Sequence, residues 1–360
     1  MRVLTTGGVG FIGCNVAKAC LDRGDKIVVW DNLSRAGTEE NLKWLRDQGS
    51  FEFVQLDIRN REEVFDTFKK TQPFDAVLHF AGQVAVTSSV ADPLTDFETN
   101  AYGTLNVLEA VRKHSPETAF LYASTNKVYG ELSQAPIVEQ EERYAFQFHS
   151  EGICEEQPLD FHSPYGCSKG SADQYVRDYA RIYGLKTVVF RQSCIYGPRQ
   201  FGVEDQGWVA WLMIARELDL SATIYGNGKQ VRDLLHVDDL SRAIFGALER
   251  IDRVQGEVFN IGGGPKNTLS VLELVNRLRK ESENPAWEIT FSKRRPGDQS
   301  IYVSNLNKAK KLLDWSPLIG MEEGIQRLRQ WIRDNRKILE KLHLKSPEPL
   351  LVSPHHSPAD

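Results

Sequence analysis

The sequence has no feature that would direct the protein to a membrane or to nucleic acid. No apolar segment approaches the roughly 18 residues that a membrane-spanning helix needs. No run of lysine and arginine stands apart from balancing acids, and the formal net charge of the 360 residues is −5. We therefore expect no membrane and no nucleic acid as partners, and a small molecule as the ligand.

Cysteine is scarce and shows neither a metal-binding nor a disulfide pattern. The five cysteines are Cys14, Cys20, Cys154, Cys167 and Cys194. They form no Cys-x-x-Cys pair and their number is odd, which indicates free thiols in a reducing compartment and no metal site. The chain begins with a strand-like run, Arg2 to Thr5, and no basic and apolar leader precedes it, so a cytoplasmic protein is expected.

A glycine-rich turn follows this first run, within a strand–turn–helix–strand pattern over residues 1–30. Gly7, Gly10 and Gly13 form G-x-x-G-x-x-G. The first glycine permits a tight turn, the second lets backbone N–H groups approach a pyrophosphate, and the third lets helix and strand pack closely. Asp31 ends the second strand, where a carboxylate can accept hydrogen bonds from the adenosine ribose. Arg35 could neutralise the 2′-phosphate of NADP, but Asp31 would repel that phosphate, so NAD is the predicted cofactor.

Strand and helix patterns alternate beyond this unit. Further strands are predicted at Phe51–Leu56, Ala76–Phe80, Ala119–Ala123 and Thr187–Phe190, with a long helical stretch from Pro93 to His114. This order predicts an α/β fold, a Rossmann-type doubly wound parallel sheet with a smaller C-terminal α/β substrate lobe. We expect an NAD-binding domain over 1–190 with an insertion at 131–160, a mainly substrate-binding lobe over 191–342 interleaved with it, and a disordered tail over 343–360. Met321 to about Leu342 is predicted to be one amphipathic helix.

Tyr165 and Lys169 lie four residues apart in a predicted helix and therefore on one face of it. A nearby ammonium lowers the pKa of a tyrosine from about 10, which makes the phenol a usable acid and base. Thr125, at the end of a strand, adds a hydroxyl. Tyr-x-x-x-Lys also occurs by chance in helices, so the pair gains its meaning from the preceding pattern.

Together these residues resemble the extended short-chain dehydrogenase/reductases that act on nucleotide sugars. The match covers about residues 1 to 335 and includes the glycine turn, Asp31, Asp57-Ile58, His79-Phe80-Ala81-Gly82, Thr125 and Tyr165-x-x-x-Lys169. The resemblance implies a tightly held NAD, Tyr165 as the acid and base, Lys169 as the group that lowers its pKa, and Thr125 as a hydrogen-bond partner of the reacting sugar hydroxyl. The residues expected to bind NAD are Gly7, Gly10, Phe11, Ile12, Gly13, Asp31, Asn32, Ser34, Arg35, Asp57, Ile58, Phe80, Ala81, Gly82, Asn100, Tyr165 and Lys169. Those expected to bind the substrate are Gln83, Asn126, Cys194, Arg199, Arg232, Arg295 and Asp298.

The residues after Thr125 bear on the type of reaction. Dehydratases and decarboxylases of this family usually carry an acidic side chain there, whereas this chain has Asn126-Lys127. An amide cannot act as a general acid or base near pH 7, so epimerisation is favoured. A UDP-sugar 4-epimerase, a nucleotide-sugar 4,6-dehydratase and a non-catalytic NAD-binding protein remain as alternatives.

A narrower resemblance, over 124–130, 161–169 and 191–202, is to epimerases that act at C2 of CDP-linked sugars. It implies a CDP-sugar substrate, with CDP-paratose converted to CDP-tyvelose, or CDP-glucose to CDP-mannose, by transient oxidation at C2. Cys194 stands where much of the family has an asparagine, and it is either a substrate contact or a small buried hydrophobe. The insertion at 131–160 either shapes the space in which the keto sugar rotates or is only an ordered surface loop. An arginine at 232 next to Asp233 could also be a surface ion pair. The helical stretches 93–114 and 165–183 resemble those through which family members pair, which implies a homodimer or homotetramer.

Overall fold

A computed structural model describes residues 1–281, 286–295 and 297–344. Strands and helices alternate through the first third of the chain, because short runs of buried apolar residues are separated by longer amphipathic ones. These elements are β1 (Arg2–Thr6), α1 (Phe11–Asp22), β2 (Lys26–Asp31), α2 (Thr38–Gln48), β3 (Glu52–Gln55), α3 (Arg61–Thr71), β4 (Ala76–His79), α4 (Val86–Ala91), α5 (Pro93–Phe97), a π-helical turn (Glu98–Tyr102), α6 (Gly103–His114) and β5 (Ala119–Thr125).

The remaining elements include short strands between the helices. They are β6 (Ile137–Glu139), β7 (Tyr144–Phe146), α7 (Ser163–Tyr183), β8 (Thr187–Gln192), β9 (Ile195–Tyr196), α8 (Trp208–Glu217), β10 (Ala222–Tyr225), β11 (Val231–Asp233), β12 (Leu235–His236), α9 (Val237–Glu249), α10 (Ile251–Val254), β13 (Val258–Ile261), β14 (Thr268–Ser270), α11 (Val271–Lys280), β15 (Ile289–Ser292), β16 (Ile301–Tyr302), α12 (Asn307–Leu313), α13 (Met321–Asp334) and α14 (Arg336–His343). None of these helices is both long and apolar enough to cross a bilayer.

The centre of the fold is a seven-stranded parallel sheet in the order β13-β8-β5-β4-β1-β2-β3. Successive residues of its strands point to opposite faces, so Val29 and Leu121 belong to one hydrophobic core while Val28 and Phe120 belong to the other. Helices cover both faces. This confirms the predicted Rossmann-type doubly wound sheet. The strand order reverses between β1 and β4, and ligands of such sheets bind in the crevice outside the strand ends at that point.

A second, smaller core lies in the C-terminal part of the chain. Leu212 of α8, Ile224 of β10, Leu274 of α11 and Leu328 of α13 belong to one buried cluster there. The chain does not divide into two consecutive segments, because β13 returns from this region to the edge of the central sheet.

The C-terminal helical region differs from the prediction. The sequence predicted one helix from Met321 to about Leu342, and the structure has two, α13 and α14, which meet at Asn335. The side-chain amide of Asn335 donates to the carbonyl of Trp331 at 2.8 Å, and the backbone of Asn335 leaves the helical region at φ −110° and ψ 16°. Asparagine favours such local bonds over the regular helical ladder. From residue 345 on, the predicted tail lies outside the described residues.

Candidate active site

A cavity of about 520 Å³ extends along the carboxyl ends of the central strands. It reaches from the glycine turn after β1, past β5 and α7, to α8 and β10 in the smaller lobe. All the residues predicted to bind the cofactor or the substrate line it, except Asn100 and Gln83. The topology therefore brings side chains that are up to about 290 residues apart in sequence into one site.

The glycine turn is shaped by two positions that leave no room for a side chain. Gly7 has φ +64°, and a β-carbon there would lie 2.6 Å from the backbone nitrogen of Ala81. A β-carbon on Gly13 would lie 2.1 Å from the carbonyl oxygen of Gly7. Helix α1 begins directly after Gly10, so the free N–H groups of its first turn are available to an anion beside the cavity. This cradle fits the pyrophosphate of a dinucleotide.

Asp31, the last residue of β2, lies at the dinucleotide end of the cavity. Asp31 is buried and accepts hydrogen bonds from the backbone N–H groups of Val9 at 3.2 Å and Leu33 at 2.8 Å. Burial raises the pKa of Asp31, and these two bonds oppose that rise. The Arg35 guanidinium donates to the side chain of Gln206. A fixed acceptor at this place suits the ribose hydroxyls of NAD.

Gly13→Ala is expected to weaken NAD binding about 10- to 100-fold, because the added methyl group forces the turn apart at a cost of about 1–3 kcal/mol. The NAD that copurifies with each protein, released by acid and quantified, would measure the effect. Gly320→Ala is the matched control, since a β-carbon at Gly320 meets nothing within 4 Å and its φ of −66° suits any residue. NAD retention equal to that of the wild-type protein would contradict the assigned role of the turn.

Thr125, Tyr165 and Lys169 meet beside the cavity at the end of β5 and the start of α7. Burial raises the pKa of Tyr165 to about 12, although the Thr125 hydroxyl and the Arg35 charge lower it. The Nζ of Lys169 donates to the carbonyl oxygen of Ala123 at 2.6 Å and lies 4.3 Å from the centre of the Tyr122 ring. That Lys169 lowers the pKa of Tyr165 stays a prediction.

Two buried carboxylates stand behind Lys169. Burial lowers the pKa of Lys169 to about 7, while Asp173 and Asp96 raise it. Asp96 accepts hydrogen bonds from the Ser168 hydroxyl at 2.5 Å and the Asn100 amide at 3.1 Å. The ammonium is therefore held near its point of proton loss at neutral pH.

Lys169→Met is expected to remove a pH dependence of stability. The folded-state pKa of about 7 lies below the ordinary value of 10.5, so between these values the unfolded chain binds more protons and the stability of the wild-type protein rises with pH. The slope due to this one group is at most about 1.4 kcal/mol per pH unit. Denaturation midpoints of both proteins from pH 7 to 10 would measure it, with the exposed Lys69→Met as the control. Parallel curves for the wild-type and Lys169→Met proteins would contradict the burial argument.

The two predicted residues that do not line the cavity act on a loop beside it. The Asn100 side chain donates to the carbonyl of Gln83 at 3.0 Å and accepts from the N–H of Gln83 at 2.9 Å. Asn100 lies in the π-helical turn between α5 and α6 and is fully buried. It therefore fixes the chain after Gly82, which does line the cavity.

A cluster of charges lines the substrate end of the cavity. Arg232 donates to Asp298 at 2.7 Å, and Lys127 donates to the same carboxylate oxygen at 3.3 Å. Burial lowers the pKa of Lys127 to about 8, while Asp298 raises it. Two cations against one carboxylate leave a positive balance, which suits a diphosphate. The surface ion pair between Arg232 and Asp233 is not formed, because Asp233 is fully buried and accepts from Ser193 at 2.6 Å.

Two other predicted substrate residues make contacts within the protein. Arg295 pairs with Asp205 at 2.7 Å and lies 3.8 Å above the ring of Tyr225. Arg199 is buried and donates to the side chain of Asn41 at 2.9 Å, so it also anchors the start of α2. Burial raises the pKa of the Cys194 thiol to about 12, which keeps it a neutral group at the cavity wall.

The sequence did not point to several lining residues. Lys127, Trp208, Trp211 and Tyr225 line the substrate end of the cavity, and Gln206 lines it beside Arg35. Lys127 directly follows Asn126 at the end of β5, which is a positional signal for a site residue. The other four lie in loops and elements of the smaller lobe, whose approach to the sheet has no local sequence signature.

The insertion at 131–160 does not reach the cavity: none of its residues is among the lining side chains. Its hairpin, β6 and β7, packs against the smaller lobe. The carbonyl of Glu142 accepts from the Ser270 hydroxyl at 2.7 Å, and the N–H of Tyr144 donates to the carbonyl of Lys229 at 2.9 Å. Ile153 pairs with Ser304. Of the two interpretations, the contacts favour an ordered outer segment that braces the lobe.

A doubly wound sheet with a glycine cradle, an acidic residue at the end of β2 and a Tyr-x-x-x-Lys pair defines a dinucleotide-dependent enzyme of the short-chain dehydrogenase/reductase type. The chain belongs to the extended branch of this type, the nucleotide-sugar epimerases and dehydratases, and its residues 4–328 match the family described as GDP-mannose 4,6 dehydratase.

Relatives of several activities match over nearly the whole chain. A CDP-paratose 2-epimerase of Salmonella typhi is 47% identical over 336 residues, which cover 92% of this chain and 99% of that protein. The structure of DesIV, a dTDP-glucose 4,6-dehydratase from Streptomyces venezuelae solved with NAD and TYD, is 29% identical with a TM-score of 0.81, and the match covers 95% of this chain and 100% of that one. A UDP-glucose 4-epimerase from Thermotoga maritima, solved with UDP-glucose, is 32% identical with a TM-score of 0.78, and the match covers 93% and 100%. The predictions of the family, of an enzyme and of NAD as the cofactor are thereby confirmed.

Proposed function

We propose that the protein epimerises C2 of a CDP-linked hexose, with CDP-paratose converted to CDP-tyvelose as the reaction and CDP-glucose as a second substrate. The observation that carries this proposal is the amide of Asn126, which lies beside Thr125 at the reacting end of the cavity. An amide supplies no proton for the elimination of water, whereas an oxidation and reduction at one carbon needs no acid or base besides Tyr165. The likeness to a CDP-paratose 2-epimerase supports the choice of CDP and of C2.

Bound NAD supplies the oxidising and reducing equivalents for C2. Tyr165 then takes the proton of the 2-hydroxyl and later returns one to the 2-keto oxygen, while the Thr125 hydroxyl holds that oxygen in reach. Lys169 supplies positive charge behind Tyr165 and donors for the nicotinamide ribose. Arg232 and Lys127 retain the diphosphate while the hexose turns to present its other face. In this proposal residues 1–190 serve mainly the cofactor and 191–342 mainly the substrate.

Proton NMR in heavy water, with CDP-paratose and CDP-glucose in separate samples and no added NAD, tests the proposal. We expect a manno-configured anomeric signal to grow while hydrogen stays on C2, because the hydrogen removed from C2 is returned to it. Deuterium at C2 would indicate enolisation from a ketone elsewhere in the ring. Turnover of UDP-galactose in place of both CDP-sugars would make the protein a 4-epimerase, and a new 4-keto-6-deoxy product would make it a dehydratase.

We further propose that the protein pairs through α5 and α7. Leu94, Phe97, Ile182 and Tyr183 are large apolar residues on these helices, and each exposes more than half of its surface, from 51% to 74%. Large exposed apolar side chains on neighbouring helices are typical of an interface between copies. Light scattering of the purified protein should give the mass of a dimer or tetramer, and Leu94→Glu with Ile182→Glu should give a monomer.

The free thiols of all five cysteines agree with a cytoplasmic location.

A further inference from the structure

Gln299 lies directly behind the reacting end of the cavity without lining it. It is fully buried, two residues before β16. Its side-chain nitrogen donates to the carbonyl of Gly130 at 2.6 Å and its side-chain oxygen accepts from the Asn126 amide at 2.7 Å. The side chain therefore links the backbone after β5 to a residue of the site.

The carbonyl of Gly130 fixes the donor and acceptor direction of these two hydrogen bonds. A backbone carbonyl only accepts hydrogen bonds, so the nitrogen of Gln299 must face Gly130 and its oxygen must face Asn126. The Asn126 nitrogen must then donate to Gln299. The remaining atom, Asn126 Oδ1, accepts from the Thr125 hydroxyl at 3.5 Å, and both residues line the cavity.

We propose that Gln299 is a positioning residue that makes Asn126 an obligatory hydrogen-bond acceptor toward the sugar. This inference rests on the proposed function and explains how the site recognises the sugar. A carbonyl oxygen at this point accepts a bond from a ring hydroxyl of the hexose and repels a ketone oxygen. It thus holds a second ring hydroxyl, which is the 4-hydroxyl in the 3,6-dideoxy sugar of CDP-paratose, while Thr125 and Tyr165 hold the oxygen at C2 that becomes the ketone.

The test begins with Gln299→Met, which keeps the length of the side chain and removes both of its polar groups. The Asn126 amide can then turn its nitrogen toward the sugar. We expect kcat for the CDP-sugar to fall about 10- to 100-fold through loss of alignment. Bound NAD and the affinity for CDP, read from quenching of Trp208 and Trp211 fluorescence, should stay within about twofold of the wild-type values.

Asn126→Asp distinguishes positioning from simple packing. Aspartate presents an oxygen whichever way it turns, so it needs no orienting partner. We expect Gln299→Met with Asn126→Asp to regain at least about tenfold of the lost kcat. Asn126→Asp alone should be less active than the double variant, because its second oxygen faces the oxygen of Gln299 that Gly130 holds in place.

The inference fails if Gln299→Met retains kcat within about twofold of the wild-type value, or if the double variant is no more active than Gln299→Met. Should Gln299→Met not fold, Gln299→Asn replaces it, since an amide one methylene shorter cannot reach both Gly130 and Asn126. The proposed function is judged separately, by whether the wild-type protein turns over CDP-sugars at C2. If it acts on another nucleotide sugar, the same variants are compared on that substrate.

Discussion

Tyr165→Phe is expected to lower kcat by about 10²- to 10⁴-fold while the protein still binds NAD and CDP. The substitution removes one oxygen from a residue that exposes only 8% of its surface, and it leaves the ring in place. The lost group is the acid and base of the reaction, and neither Thr125 nor Lys169 can replace it. The Thr125 hydroxyl is too weak an acid, and the Lys169 ammonium is directed to the carbonyl of Ala123.

The measurement is turnover of CDP-paratose or CDP-glucose by NMR, together with NAD content and CDP-induced quenching of tryptophan fluorescence. Tyr129→Phe is the matched control, because its hydroxyl is also buried but lies outside the cavity. That hydroxyl donates to Asn260 at 2.8 Å and accepts from Arg191 at 3.0 Å. We expect Tyr129→Phe to lose about 1–3 kcal/mol of stability and to keep kcat. Near-normal turnover by Tyr165→Phe would remove the assigned role of Tyr165.

The high pKa of Tyr165 also affects how turnover depends on pH. With a pKa of about 12, the phenol is protonated at neutral pH and is a donor in the ground state. It becomes a base only when positive charge or a hydrogen-bond donor stabilises the phenolate. We expect turnover to rise with pH as the phenolate becomes accessible, up to the point where Lys169, with a pKa of about 7, loses its charge.

Local signals in the sequence predicted the parts of the site that depend on near neighbours. The glycine turn, Asp31 and the Tyr-x-x-x-Lys spacing are each set by a strand end or a helical turn, so their positions followed from periodicity. The direction of Lys169 did not, because it depends on the carbonyl of Ala123, which is 46 residues away in the chain. The link from Asn126 to Gln299 spans 173 residues and joins the short 3₁₀ helix Asn126–Tyr129 to the segment before β16, and no periodic pattern connects the two.

The insertion and the C-terminal helices show the same limit. The sequence marked 131–160 as an extra segment, but only tertiary contacts, such as that of Glu142 with Ser270, show which lobe it supports. The break at Asn335 depends on whether one side chain bonds to the backbone of Trp331 or to solvent. Amphipathic periodicity continues across this residue, so it does not predict the break between the two helices.

Arg191→Met is expected to destabilise the protein by about 3–5 kcal/mol, because it leaves a buried carboxylate without its partner. Arg191 of β8 makes two hydrogen bonds to Asp173 of α7, both of 2.9 Å, and the two side chains expose 2% and 0% of their surface. Chemical denaturation would measure the loss. The pair of Lys186 and Asp252, at 3.1 Å, exposes 29% and 79% of its side-chain surfaces and is the matched control, and Lys186→Met should cost less than about 1 kcal/mol. A loss that small for Arg191→Met would contradict the assignment of a buried pair.

Removing both partners separates the structural role of the pair from its electrostatic one. Arg191→Met with Asp173→Asn should recover most of the lost stability, since no unpaired charge is left in the core. Activity should not recover in parallel, because Asp173 is the first of the two carboxylates that raise the pKa of Lys169 against the effect of burial. Without Asp173 that pKa falls below about 7, so the ammonium persists only at lower pH and the pH optimum of turnover shifts downward. A double variant with restored stability and an unchanged optimum would show that Asp173 acts on the fold alone.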